Sequence, residues 1–121
     1  MIRVLYVDDE ADIREIAELA LSLDPAMEVR TAADAREGLA IAGTWLPDMI
    51  LLDVMMPGLD GPSTLARLRD CTRTRDVPVV FITARAQATD IQTFATLDAR
   101  GVIAKPFDPL ALAGQVRRFL A

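Results

Sequence analysis

The 121 residues carry 18 acidic against 13 basic side chains, a formal net charge of −5, and no histidine. That balance argues against a nucleic-acid surface built on basic residues and excludes histidine-based catalysis. No apolar run is long enough to span a membrane, Asp8-Asp9-Glu10 interrupts any secretory h-region, and Cys71 is the only cysteine, so a cytoplasmic chain without disulfides or thiol-bound metal is expected.

From the N-terminus, Ile2 to Val7 reads as a β-rich strand, followed directly by Asp8-Asp9-Glu10. From Ala11 the apolar positions Ile13, Ile16, Ala17, Ala20 and Leu23 recur at three and four residues and define one face of a helix that stops at Asp24-Pro25. Residues 28–31 form a short, poorly marked strand. A second helix spans residues 35–42, with Leu39 and Ile41, and Gly38 weakens it.

Met49-Ile50-Leu51-Leu52 is an unbroken apolar run suited to a strand buried on both faces, and Asp53 ends it. Met-Met-Pro-Gly and Asp-Gly then mark a loop, and Asp60 with Pro62 open a helix carrying Leu65 and Leu68. After a polar connection over residues 70–76, Val79-Val80-Phe81-Ile82 is a fourth strand ending in Thr83. A weak helix over residues 89–97 carries Ile91, Phe94 and Ala95 on one side, and Gly101-Val102-Ile103-Ala104 is a fifth strand ending at Lys105-Pro106. Asp108-Pro109 supplies an N-cap and first-turn proline for a last helix faced by Leu112, Val116 and Phe119 or Leu120.

Five strands alternating with five helices imply a doubly wound parallel α/β sheet covered on both faces. No internal repeat or linker divides the chain, so residues 1–121 are expected to form one domain. In such a sheet the carboxyl ends of the strands converge at the switch point. Asp8 and Asp9 end the first strand, Asp53 the third, Thr83 the fourth and Lys105 the fifth, so all five share one crevice. Each has a bland alternative taken alone: a helix cap, a turn, a strand terminus, a surface charge. Their coincidence at four strand ends points instead to a site.

Three close carboxylates repel one another by about 4 kcal/mol per pair at an effective dielectric near 20. A divalent cation removes the penalty. With no histidine and no cysteine cluster, oxygen ligands point to Mg²⁺. Mg²⁺ beside Thr83 and Lys105 suits phosphoryl oxygens, with Asp53 as an already ionised nucleophile.

In this combination the residues resemble a response regulator receiver domain over essentially the whole chain. Asp8-Asp9 resembles the acidic pair, Asp53 the phosphoacceptor, Thr83 the switch hydroxyl and Lys105-Pro106-Phe107 the lysine motif, while Pro57, Gly58 and Gly61 match the loop after the phosphoacceptor. The resemblance implies a flavodoxin-like strand order 2-1-3-4-5 with five flanking helices, Mg²⁺ held by Asp8, Asp9, Asp53 and the Met55 carbonyl, and a cis peptide before Pro106. It further implies a sensor histidine kinase or phosphotransfer protein as phosphoryl donor. The downstream partner, or an output domain not included here, would engage the surface of the fourth helix, fifth strand and fifth helix. No membrane or direct nucleic-acid contact is expected, and the domain would be a signalling phosphoacceptor rather than an enzyme in its own right.

Two positions depart from the family. Asp98 stands where a glycine often ends the fourth helix, which would ask Asp98 to take left-handed backbone, and Val102 occupies the place of an aromatic switch residue. Among competing readings, an aspartyl-phosphate phosphatase would need a second Asp where Met55 stands, and a nucleotide-binding domain would need glycines where Asp8-Asp9-Glu10 stands. A receiver-like docking module that works without phosphorylation is the remaining alternative.

Overall fold

The computed structural model describes residues 1–84, 92, 94 and 97–121. β1 (Ile2–Val7) leads to α1 (Ala11–Ser22), then β2 (Met27–Ala32), α2 (Ala35–Trp45), β3 (Met49–Asp53), α3 (Gly61–Asp70), β4 (Val79–Thr83), β5 (Gly101–Ala104) and α4 (Leu112–Leu120). All five strands are parallel, in the order β2-β1-β3-β4-β5. This is the doubly wound α/β sheet expected from the sequence, in the flavodoxin-like order that the resemblance implied. Four helices lie among the described residues, and the helix expected over residues 89–97 falls mostly outside them.

β3 and β4 are buried at every position, as two-sided strands with unbroken apolar runs must be. Side chains alternate between two cores. On one face Leu5, Val7, Ile50, Leu52 and Phe81 meet Trp45 of α2 and Leu65 and Leu68 of α3. On the other, Val4, Tyr6, Leu51, Val80 and Ile82 meet Ala17, Ala20 and Leu21 of α1 and Leu112 and Val116 of α4.

Several local expectations change. On α1 the buried positions are Ala17, Ala20 and Leu21, while Ile16 is 42% and Leu23 65% exposed. At about 100° per residue the buried trio occupies a narrow arc, and Ile16 and Leu23 lie beyond its edge. α2 runs on to Trp45 and ends at Leu46, whose left-handed backbone (φ 55°) sends an N–H back to Ala42 O. Gly38 fits within α2 because a Cβ there would lie 3.0 Å from Val7 Cγ2; the missing side chain lets the helix approach β1. α4 starts later than expected. Asp108 instead organises the preceding turn, its carboxylate accepting from Leu110 N (2.9 Å) and its carbonyl from Leu112 N (3.1 Å). Asp98 does not take left-handed backbone. Its carboxylate accepts from Arg69 Nε at 2.8 Å and its carbonyl from Arg69 Nη2 at 2.9 Å, while Arg69 Nη1 donates to Val77 O at 2.8 Å.

The loop after β3 is pulled tightly against the strand end. Asp60 caps α3 by accepting from Ser63 N (2.8 Å), and Gly61 N donates to Val54 O (2.9 Å). A Cβ on Gly61 would come within 2.6 Å of Asp53 O and 2.8 Å of Val54 Cα, both backbone atoms with no freedom to yield. Gly61→Ala should therefore lower unfolding stability by about 1–3 kcal/mol in urea titrations. A change under a few tenths would show that the loop relaxes freely.

Candidate functional site

Parallel register brings the strand ends to one level. Val7 pairs with Leu52, Asp53 with Ile82, and Thr83 with Ala104, so Asp8, Asp53, Thr83 and Lys105 all emerge at the same sheet edge. One oxygen each from Asp8, Asp9 and Asp53 lie within 4.8 Å of one another. The inner two carboxylates are sealed: Asp8 is 0% and Asp53 3% exposed, while Asp9 faces solvent. Thr83 is buried too.

Lys105 crosses between the buried carboxylates. Its Nζ stands 2.7 Å from Asp8 Oδ2 and 3.2 Å from Asp53 Oδ2, and its backbone N–H donates to Thr83 O at 2.8 Å. The Lys105-Pro106 peptide is cis, as the resemblance implied. Asp8 Oδ1 accepts from Glu10 N (3.0 Å), Asp8 O from the Arg14 guanidinium (2.8 Å), and Asp53 Oδ1 from Met55 N at 3.4 Å. The Met55 side chain is exposed, leaving its backbone as the part that faces the site.

The sequence reading missed Tyr6, whose hydroxyl donates to Asp8 Oδ2 at 3.0 Å. Strand alternation was the available signal, because residues two apart share a face and Tyr6 and Asp8 are so spaced.

Burial and charge together set the proton affinities in the site. Burial, and then the Asp8 charge, push the Asp53 carboxyl up to about 6 against the opposing pull of Lys105. Burial alone would lower the Lys105 ammonium, but Asp8 and Asp53 outweigh it and the group is raised. Burial, followed by the Asp8 charge, raises the Tyr6 phenol far above its ordinary range, so it remains a donor. Three carboxylates and one ammonium leave net negative charge in a largely dry pocket. Oxygen donors, no nitrogen or sulfur ligand, and one solvent-facing member suit a small hard divalent cation, so the residues fit Mg²⁺.

The fold and site together define a class: a doubly wound domain with an acidic, lysine-bridged pocket at the switch point. Comparison with known proteins narrows it. The profile of the response regulator receiver domain matches residues 4–117. The probable transcriptional regulator ycf27 of Cyanophora paradoxa is 40% identical over 118 residues, covering 98% of this chain and 48% of that protein. The response regulator PleD of Caulobacter vibrioides is 43% identical over 116 residues, 95% of this chain and 25% of that protein. The structure of the chemotaxis protein CheY4 of Vibrio cholerae superposes with a TM-score of 0.89 at 34% identity, covering 98% of both chains. The chain belongs to the response regulator receiver family and is a receiver domain of a two-component response regulator, a signalling domain. It spans about half the length of the first curated relatives it matches. Among the described residues no helix is long and apolar enough to cross a membrane.

A raised Asp53 means the folded chain binds a proton more tightly than the unfolded chain, whose value is 3.8. Its contribution to stability is therefore best below about pH 4, declines as pH rises to about 6, and stays unfavourable above that. Without divalent metal, Asp53→Asn should match wild type near pH 4 and exceed it by up to about 3 kcal/mol at pH 7. Denaturant titrations across that window would show a pH-independent difference if Asp53 titrates normally.

Proposed function

We propose that residues 1–121 form one receiver domain that takes a phosphoryl group on Asp53 from a histidine kinase or phosphotransfer protein and thereby switches a partner-binding surface. The observation that carries this reading is Lys105 Nζ bridging the buried Asp8 and Asp53 within an acidic cluster that includes Asp9. Counter-charge alone would account for a lysine between two sealed carboxylates, but not for a third carboxylate, Asp9, gathered beside them at the same strand-end crevice.

In the proposed reaction an Asp53 carboxylate oxygen attacks phosphorus. A P–O bond forms, the P–N bond to the donor imidazole breaks, and its electron pair returns to the ring nitrogen. Burial holds Asp53 with little freedom, so the attack geometry is largely set in advance. Asp8, Asp9, Asp53 and the Met55 carbonyl would hold Mg²⁺, which when bound supplies neutralisation of the phosphoryl oxygens. Lys105 turns its ammonium to one phosphoryl oxygen, and the Thr83 hydroxyl donates to another. That single hydrogen bond to an anion, about 1.5–3 kcal/mol, bounds the direct Thr83 contribution to switching. The responding surface would comprise the segment after Thr83, β5 and α4, where a downstream protein or an output domain engages. Val102, half-buried against the core, would stay packed in both states, since its short branched side chain is stiff at χ1. The proposal includes a cytoplasmic location, where such kinases present their phosphohistidine.

Acetyl phosphate with Mg²⁺ should add one phosphoryl group by intact mass, and Asp53→Asn should abolish the adduct. An adduct that survives the substitution would assign the acceptor elsewhere.

Lys105→Ala strands two buried carboxylates without their counter-ion, so metal-free stability should fall by about 3 kcal/mol. Mg²⁺ should raise the melting temperature of wild type and raise that of Lys105→Ala further. Equal, negligible Mg²⁺ effects in both would rule out the acidic cluster as a metal site.

A further inference from the structure

We infer that Tyr6 is a positioning residue that keeps the buried Asp8 carboxylate satisfied when Lys105 leaves it. The inference rests on the site reading above, in which Lys105 turns toward a phosphoryl group on Asp53. Before that turn, Asp8 Oδ2 accepts from two donors, Lys105 Nζ at 2.7 Å and the Tyr6 hydroxyl at 3.0 Å, while Oδ1 accepts from Glu10 N at 3.0 Å. Asp8 is 0% exposed in this arrangement, so its donors are those the protein itself supplies. If Lys105 were the sole partner of Oδ2, its departure would strand half of a buried carboxylate, and the charged pair would resist opening. Oδ1 faces Glu10 N and would be the oxygen left for Mg²⁺, so the hydroxyl is what keeps Oδ2 from being bare. Lys105 is then free to serve Asp53.

The ring and the hydroxyl of Tyr6 do different things. The ring is fully buried and meets Phe107 edge-on, with centroids 6.3 Å apart and planes at 70°. It therefore braces the segment that carries Lys105, whereas the oxygen alone touches Asp8. Tyr6→Phe removes the second contact and keeps the first.

The composition of the chain makes the test direct, because Lys105 is its only lysine and Tyr6 its only tyrosine. Side-chain ¹⁵N-lysine labelling gives one ammonium signal, and that signal reports Lys105. In wild type with Mg²⁺ fixed, titrating beryllium fluoride as a phosphoryl mimic should move the signal. In Tyr6→Phe the same movement should need roughly tenfold more beryllium fluoride, while the melt stays cooperative. If the wild-type signal does not move, the site reading fails and this inference falls with it. If it moves and Tyr6→Phe shows the same midpoint, only the role of Tyr6 is overturned. Should Tyr6→Phe not fold, 3-fluorotyrosine in the otherwise unaltered chain supplies the second measurement. Its ¹⁹F signal should shift as the mimic binds, because the hydroxyl loses its competitor on Oδ2; a signal that stays fixed overturns the inference.

Discussion

Two carboxylates sealed at the ends of adjacent parallel strands form the constraint on which the structure turns. Asp8 and Asp53 are nearly inaccessible to solvent, and like charges at that separation repel strongly in a medium less polar than water. The ammonium of Lys105 relieves the repulsion, yet not fully, because the Asp53 carboxyl remains raised to about 6. The pocket is thus held ready for additional positive charge. A site that were electrostatically content on its own would have little to gain from a cation or a phosphoryl donor.

The apolar layers exist in service of that arrangement. Strands buried on both faces leave β3 and β4 no freedom to shift register, because a slip by one residue would exchange the two cores. Fixed register is what brings the strand ends to one level. Small residues do the close fitting around it: Gly38 lets α2 lie against Val7, and Gly61 lets the loop after β3 fold back onto Asp53. Neither glycine brings a side chain to the pocket, and both decide where it is.

Most of this was legible from the chain. Apolar runs bounded by turn residues mark β3 and β4, because two-sided burial leaves no polar position to blur them. The site residues were legible for the related reason that polar groups at strand ends stand out against such runs. What escaped depended on neighbours distant in sequence. Ile16 and Leu23 fit a helical period but lie outside the arc that the sheet covers. Asp108 carried the marks of an N-cap and spends them on the turn ahead of α4. Asp98 suggested a left-handed helix end, and only the folded chain brings Arg69 within reach of it. Tyr6 read as one more β-forming core residue, since a buried hydroxyl has no signature until its acceptor is known.

The Arg69 clamp has a mechanical corollary. One guanidinium ties α3 to the carbonyl of Val77, just ahead of β4, and to Oδ2 and the backbone carbonyl of Asp98, just ahead of β5. These anchor points lie at the amino ends of β4 and β5, across the sheet from Thr83 and Lys105. The lower margin of the domain is tied like the hinge side of a door, while the upper margin holds Asp8, Asp53 and Lys105. Were Thr83 drawn toward a phosphoryl group on Asp53, as proposed, the tied side would resist the movement and the free side would take it up as tilt.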